Sequence, residues 1–484
     1  MRTYLLLIPV FLPVLLGTVS YFLPFRNQRQ RNLFVMVSLL INAAVVWIAA
    51  CRVPEETLTL IPFTNELSFS LRLDGAGRLF ACLSATLWPL TALYAFDYMK
   101  HEEHHPMFYC FFIASFGTTM GIAMADNILT MYLFYEMLTL TTIPLVMHGM
   151  KKTHNRAARK YMSYSIGGAA FAFAAVVFLI LNDAGTFVLG GHLSAADQTI
   201  LADILYVCAF MGFGVKAALF PLHGWLPSAS VAPTPVTALL HAVAVVKAGA
   251  FALIRLTYYT YGTEFLSGRW VQYAVMAVAA FTILYGSVNA LRQKHFKRRL
   301  AYSTVSNLSY IAFAVTLMTP AGLLAAFCHL VFHSVIKICA FFAAGSVLHY
   351  SDREYVPQLE GLGRKMPWTF TFFTISALAL TGIPPFCGFF SKWYIATAAI
   401  ESGSGLAVAG AAVLLVSAFL TACYMLSPVI LAFFPRKDVP NDLTKVKEAN
   451  WRMLIPMGVC AVLCIVFGLF AKFPIELFRE VLML

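Results

Sequence analysis

Charge is scarce in this chain. Only 12% of its 484 residues are Asp, Glu, Lys or Arg, against about 25% in a soluble domain. Several chemical signatures are missing as well. There is no Cys-x-x-Cys pair, no Gly-x-Gly-x-x-Gly turn and no phosphate-binding Gly-x-x-x-x-Gly-Lys loop. A thiolate metal cluster, a dinucleotide site and nucleotide hydrolysis are therefore not expected here, and any such chemistry is assigned to other subunits. The ten cysteines read as small apolar packing residues. The apolar runs do not alternate with polar residues, which excludes a transmembrane β-barrel.

What is present is hydrocarbon. Apolar residues make up 60% of the chain and the mean hydropathy is +0.77. The runs are about 20 residues long, enough for a helix to cross a bilayer. The pattern predicts an all-α polytopic membrane protein with fourteen spans, near 4–25, 32–51, 77–97, 107–125, 128–149, 162–182, 200–220, 235–259, 270–291, 301–318, 321–349, 368–400, 405–434 and 452–471. The first run lacks a small-residue cleavage site and is read as a retained helix rather than a signal peptide. With the N-terminus outside, the loops 26–31, 98–106, 150–161, 221–234, 292–300, 350–367 and 435–452 face inward. They hold 22 of the 34 Lys and Arg residues, and the outer segments hold seven. That bias sets the orientation, with both termini outside. It also accounts for the net charge of +12, which is thus no argument for nucleic acid.

Five basic residues lie within spans: Lys216, Lys247, Arg255, Lys337 and Lys392. One acid, Glu136, joins them in MYLFYEMLTLTTIP. An ionised group in hydrocarbon costs at least ~2.5–3.5 kcal/mol on insertion scales, so such residues are functional suspects. Arg255, near the outer end of its span, is read as snorkelling to the interface. Lys216, Lys247 and Lys337 have apolar residues on both sides. In span eleven His329, His333 and Lys337 are spaced i, i+4, i+8 and form one stripe on one helix face, a file suited to protons. His241 and Lys247 in span eight are six apart. Either that helix is locally broken or the two residues face different neighbours.

Two spans carry breaks. Span twelve is too long for one straight crossing and contains Gly382-Ile383-Pro384-Pro385, then Gly388 and Lys392. Span seven has Gly212 and Gly214 before Lys216, then Pro221. Interrupted backbone is tolerated in a membrane only where protein or a watery cavity meets the freed groups. The two breaks run in opposite directions through the membrane, the pattern of an inverted repeat. One further motif, His101-Glu102-Glu103-His104-His105, has the zincin spelling but sits in a short loop before Pro106, where a solvated loop is expected rather than a zinc site.

These residues carry a resemblance. The segment KAALFPLHGWLPSASVAPTPVTALLHAVAVVKAG, from Lys216 onward, resembles the signature region of the antiporter-like subunits of respiratory complex I, of membrane-bound hydrogenases of related build and of Mrp-type sodium/proton antiporters. The likeness continues through HFKRRLAYSTVSNLSY (295–310), HLVFHSVIKICAFFAAGSV (329–347) and LALTGIPPFCGFFSKWY (378–394), and spans roughly residues 70 to 470. It implies fourteen helices divided as N-terminal helices (1–106), a first inverted repeat (107–259), a second (270–434) and a C-terminal loop and helix (435–484). It implies that Glu136 pairs with Lys216, that His241 and Lys247 hold the eighth-helix positions, His333 and Lys337 the eleventh, and Lys392 the twelfth, where some members carry glutamate. His295 stands where many members have aspartate, and Ser334 where some Mrp-type members do. The chain ends soon after span fourteen, without the lateral helix of the largest complex I relative, so that subunit type is not expected.

The expected function is a proton-translocating, antiporter-like subunit of a multisubunit redox-driven ion pump in a bacterial or archaeal cytoplasmic membrane. Burial disfavours a lysine's charged form and a nearby carboxylate restores it, so Glu136 and Lys216 form a switch that passes a proton toward Lys247, then Lys337 and His333, then Lys392. Arginine does not deprotonate in proteins and would not serve. The expected partners are further membrane subunits, antiporter-like ones among them, a peripheral redox arm, protons, possible Na+ and lipid, with no cofactor and no catalytic site in this chain. Membership of an Mrp-type multisubunit Na+/H+ antiporter is the alternative, and a secondary transporter of an organic solute is the alternative from a different class.

Overall fold

The computed structural model describes residues 2–64, 67–194, 197–435 and 443–484. The first part of the expected inner loop 435–452 therefore lies outside the described residues. The chain enters the bilayer through α1 (Leu7–Phe22) and α2 (Gln28–Arg52), then forms a small hairpin of β1 (Leu58–Pro62) and β2 (Ser68–Leu71). Four unbroken helices follow: α3 (Gly75–Tyr98), α4 (His105–Ala123), α5 (Ile128–Met147) and α6 (Lys152–Leu181). The seventh crossing is split into α7 (Ile200–Gly214) and the short α8 (Trp225–Ala229). The eighth is split into α9 (Thr234–Ala242), α10 (Val245–Ile254) and a π-helical segment, Arg255–Tyr261. A turn of helix, α11 (Thr263–Leu266), leads to α12 (Trp270–Arg292), α13 (Phe296–Thr316) and α14 (Pro320–Ser351). The twelfth crossing is α15 (Pro367–Thr381) plus α16 (Cys387–Glu401), and α17 (Gly405–Phe433), α18 (Trp451–Leu469) and α19 (Lys472–Val481) complete the chain.

In hydrocarbon each backbone N–H and C=O must find a partner within the segment, which is why these apolar runs are helices. Their starts are set by polar caps. Asp74, Asn127, Thr199 and Thr319 each accept an N–H from the residue three ahead, at 2.8–3.1 Å. Eleven helices among the described residues are long and apolar enough to cross a membrane. The other three expected crossings are the two broken by glycine and proline, and α13, whose first turn is Phe-Lys-Arg-Arg. The protein is an integral membrane protein of the expected all-α, polytopic class, with crossings seven and twelve discontinuous as expected.

The centre of the molecule is α14. It packs against α3, α9, α13, α15, α16 and α18, and every residue from Gly322 to Val347 is buried. The eighth crossing is equally enclosed, buried from Thr234 to Tyr261. These two elements carry His241, Lys247, His329, His333 and Lys337, so the fold places the candidate residues on its axis. The loops joining α1 to α2, α3 to α4, α5 to α6, α12 to α13 and α14 to α15 lie on one face, called here the basic face. The β-hairpin, the π-helical segment and α19 lie at the opposite face.

Candidate functional site

The row begins at α5. Glu136 Oε1 stands 3.9 Å from Lys216 Nζ; the lysine is wholly buried, and the glutamate side chain is 27% exposed. Lys216 lies in the link just after α7, where it donates to the carbonyl of Tyr135 and sits 3.4 Å over that residue's ring. Gly214 is the last residue of α7, Gly212 lies two before it, and Pro221 is in the link. Carbonyls freed by this break are met by side chains: Tyr135 donates to Phe213 O at 2.9 Å and the Trp225 indole to Val215 O at 2.7 Å. Gly249 on α10 packs on the Lys216–Ala217 peptide, where a Cβ would meet Ala217 N at 2.4 Å. Its lack of a side chain brings α10, and with it Lys247, against the link.

The second stage is a direct contact. Lys247 Nζ and His333 Nδ1 are hydrogen-bonded at 2.6 Å. His333 stacks on His329 with ring centroids 5.5 Å apart, as their i, i+4 spacing predicts. His329 Nδ1 is 2.9 Å from Ser391 Oγ, and Ser391 adjoins Lys392. The Tyr310 ring bridges the same gap, 5.3 Å from His329 and 5.4 Å from Lys392 Nζ.

Lys392 is only half-buried, unlike the lysines before it. It donates to Leu380 O at 2.6 Å and Thr381 O at 3.0 Å. These are carbonyls at the C-terminal, negative end of α15, which the break leaves open to a cation. Gly382 caps α15, Pro384 and Pro385 form the link, and Gly388 is the second residue of α16. A Cβ on Gly388 would fall 1.8 Å from Ala379 O, so the two half-helices overlap only because that side chain is missing.

Lys337 stands to one side of this path. It donates to Leu300 O at 3.0 Å and to the Ser303 hydroxyl on α13, and its Nζ lies 5.9 Å from the Phe341 ring. His241 lies against the same ring, tilted by 39° with centroids 4.7 Å apart. The structure thus joins Glu136 with Lys216, Lys247 with His333, and His329 with Lys392 through Ser391. It groups Lys337 with His241 nearer the basic face.

Three features differ from the sequence reading or were absent from it. The eighth crossing is broken, at Val243-Ala244, which is the first of the two options its six-residue spacing left open. Arg255 does not snorkel. It is wholly buried in the π-helical segment and binds Asp74 by two hydrogen bonds of 2.5 and 2.6 Å, with Phe187, Phe251 and Tyr259 rings around it at 4.6–4.9 Å. Burial pushes the Asp74 carboxyl up, but the Arg255 charge and hydrogen bonds outweigh it and hold it below its ordinary value. Lys297, read as a loop cation, is 5% exposed and hydrogen-bonded to a carbonyl. The motif at His101–His105 runs from the end of a 3₁₀ turn (Met99–His101) through a short loop to His105, the first residue of α4.

A polytopic membrane protein with three broken crossings and a buried file of lysines and histidines is the class that these observations define. The chain belongs to the NADH:quinone oxidoreductase/Mrp antiporter transmembrane family, whose model matches residues 125–433. Among curated proteins it is 30% identical over 477 residues to a probable K(+)/H(+) antiporter subunit of Rhizobium meliloti (strain 1021), covering 96% of this chain and 47% of that one. It is 31% identical over 446 residues to a Na(+)/H(+) antiporter subunit of Alkalihalophilus pseudofirmus, covering 86% of this chain and 54% of that one. The chain therefore spans about half the length of the curated relatives it matches. Its fold is that of a chain in the Mrp complex from Dietzia sp. DQ12-45-1b, with TM-score 0.85, 21% identity and coverage of 99% and 96%. It also matches a chain of the archaeal membrane-bound sulfane sulfur reductase, with TM-score 0.83, 24% identity and coverage of 97% and 76%.

Proposed function

We propose that this chain is an antiporter-like, proton-translocating subunit of a multisubunit ion-transporting membrane complex. The observation that carries this reading is the contact chain Lys247–His333–His329–Ser391–Lys392, which crosses the buried centre of the molecule through groups that gain and lose protons. A lysine that only anchored the fold would have no use for two stacked histidines between it and the next lysine. The names of the curated relatives support coupling to Na+ or K+ exchange in place of a redox-driven pump. The fold itself is shared with both kinds of assembly.

In this reading the basic face is the inside of a bacterial or archaeal cytoplasmic membrane, and both termini lie outside. The four-part division at residues 1–106, 107–259, 270–434 and 435–484 is part of the proposal. Two observations support the inverted repeat. Each half has one crossing broken by glycine and proline beside a lysine. Each also has a helix, α5 or α13, whose capping residue Asn127 or His295 makes an isolated β-bridge, to Thr186 or Tyr355, in the loop after the next helix. The partners proposed are further antiporter-like and smaller membrane subunits. A redox arm belongs only to the pump alternative. The partial exposure of Glu136 supports a neighbour that moves it, since the acid faces the surface of the chain while its lysine is enclosed.

The test is made on the assembled complex in inverted membrane vesicles. Glu136→Gln and Lys216→Met are each expected to lower cation-driven proton movement at least tenfold, with the complex still assembled. Native rates in both variants would overturn the switch. Identifying the co-purifying subunits separates an antiporter assembly from one carrying a redox arm.

A further inference from the structure

The buried row leaves unused a group of basic residues that meets at a cleft on the basic face. Helices α2 and α18 each pack on α3, and between their inner ends lies a cleft of about 470 Å³. That volume is within the range of about 300–1,000 Å³ that small-molecule sites occupy. Its rim is polar: Gln28, Arg29 and Asn32 from the start of α2, Lys100 just after α3, and Arg452 from the first turn of α18. Its floor is apolar, made by Leu33 and Met36 of α2 with Leu93 and Phe96 of α3. Met36 lies about 12 Å of helix rise inward from Gln28. The cleft is thus cationic at the face and hydrocarbon beneath it.

Its charges are not neutralised within the chain. Neither Arg29 nor Arg452 forms an ion pair among the described residues, and Arg452 lies over the Trp451 ring at 5.4 Å. Lys100 pairs with Asp97, which also accepts the Tyr350 hydroxyl at 2.5 Å. Asp97 stands behind Lys100, and no acid lines the cleft among the described residues. The helices α2 and α18, of 25 and 19 residues, both present their positive N-terminal ends here. Two polar atoms one turn apart are buried without a partner, the donor Gln28 Nε2 and the acceptor Asn32 Oδ1. A ligand that satisfies both accepts at one point and donates at the other. A free phosphate ion would meet the rim and have no use for the floor. An acidic peptide would also meet the rim, but Leu33 and Trp451 beside it are 64% and 57% exposed, an aliphatic chain and an interfacial indole placed as they are against lipid. An anionic phospholipid meets every part, since guanidinium groups match a phosphodiester, basic pockets between helices at this face suit such headgroups, and an acyl chain suits the floor.

We propose that the cleft between α2, α3 and α18 is a binding site for one anionic phospholipid with a hydroxyl-bearing headgroup, of the phosphatidylglycerol kind. Arg29 and Arg452 hold its phosphodiester, Gln28 and Asn32 its headgroup oxygens, and the floor one acyl chain. The lipid bridges α2 to α18, which otherwise meet mainly through α3. The site is separate from the proton row and stands whether or not that reading holds.

The probe is a phosphatidylglycerol with a diazirine in its acyl chain, added to the assembled complex in phosphatidylcholine nanodiscs. After illumination the labelled peptides are identified by mass spectrometry. Labels are expected at 33–36 and 93–96, and excess unlabelled phosphatidylglycerol is expected to remove them. Arg29→Gln combined with Arg452→Gln should weaken this labelling by about tenfold. Lys472→Gln combined with Arg479→Gln, at the opposite face, should leave it unchanged. Arg452→Gln alone and the competition on the native complex keep the proposal testable if the double variant fails to assemble. Equal competition by phosphatidylcholine would mean ordinary surrounding lipid and overturns the site. Competition by glycerophosphoglycerol, which has the headgroup without chains, would mean a soluble phosphodiester and overturns the lipid. Labels confined to a co-purifying subunit would mean a protein partner over the cleft and overturn it as well.

Discussion

Replacing Arg255 by methionine removes one half of the most enclosed ion pair among the described residues. The Arg255 side chain is 1% exposed and that of Asp74 is 12% exposed. Their two hydrogen bonds tie the π-helical end of the eighth crossing to the first turn of α3, because Asp74 also accepts the Gly77 N–H at 2.9 Å. Two opposite charges about 4 Å apart attract by about 4 kcal/mol at an effective dielectric constant of 20. Breaking such a pair from one side strands the other charge in a medium that cannot solvate it, at a cost of about 3–5 kcal/mol. Arg255→Met and Asp74→Asn should each destabilise by that amount. Asparagine keeps the cap on α3, so its loss is mainly electrostatic. The double variant removes both charges together. It should cost less than either single change, since a buried pair replaced by uncharged groups is often neutral. The assay is a double-mutant cycle by equilibrium unfolding in mixed detergent micelles, followed by tryptophan fluorescence. The expected coupling is about 3 kcal/mol or more. Singles costing under about 1 kcal/mol, or a double equal to their sum, would refute the ion pair as the clamp at this face.

Two further outcomes follow from other parts of the molecule. Lys392 is held by two helix-end carbonyls and has no acid beside it among the described residues, so Lys392→Ala should block the last step and lower proton movement at least tenfold, whereas Lys392→Glu should retain part of it because a carboxylate can also carry a proton; equal loss in both would show that the cation itself is required. At the basic face, burial and the charges of His104, His105 and His154 push His148 down to about 4. The unfolded chain thus binds the proton first, and the contribution of His148 is full above about pH 6.5 and is lost as the pH falls toward 4. His148→Phe, which keeps the ring contact with Phe108, should flatten the fall of thermal stability between those values, and an unchanged profile would refute that assignment.

Much of the architecture was legible because membrane helices are written in runs that water would reject. The breaks at Gly212–Pro221 and Gly382–Gly388 were legible because glycine and proline mark them. The break at Val243-Ala244 has neither, and the only trace of it was the unhelical spacing of His241 and Lys247. Arg255 and Asp74 are 181 residues apart, and no local pattern pairs them; seen alone, an arginine near a helix end reads as reaching for water. Lys297 was hidden by its company, since a run of three basic residues after a loop looks like surface. The hairpin was signalled faintly by the alternation of LTLIP and SFSL. The α19 helix lies beyond the last long apolar run, with Phe473, Leu477 and Val481 at four-residue spacing, and the fourteen-span reading does not include it.

The enclosure of the eighth crossing and of α14 bears on how the protein is made. Neither segment touches lipid over its core, yet the first ends at Tyr261, about 60 residues before the second begins at Pro320. Before the second is made it carries Lys247, costing about 2.5–3.5 kcal/mol to expose near a bilayer centre, with Arg255 nearer the face, and the Lys247 partner on α14 does not yet exist. The segment Thr234–Tyr261 is thus ill suited to partition into lipid on its own. It has to be sheltered by helices already inserted, with Asp74 at the head of α3 ready to receive Arg255, and it waits there until α14 arrives and closes over it. Insertion of this chain is a group event centred on its two least lipid-compatible helices, and a nascent chain arrested before Pro320 should be a target for membrane proteases.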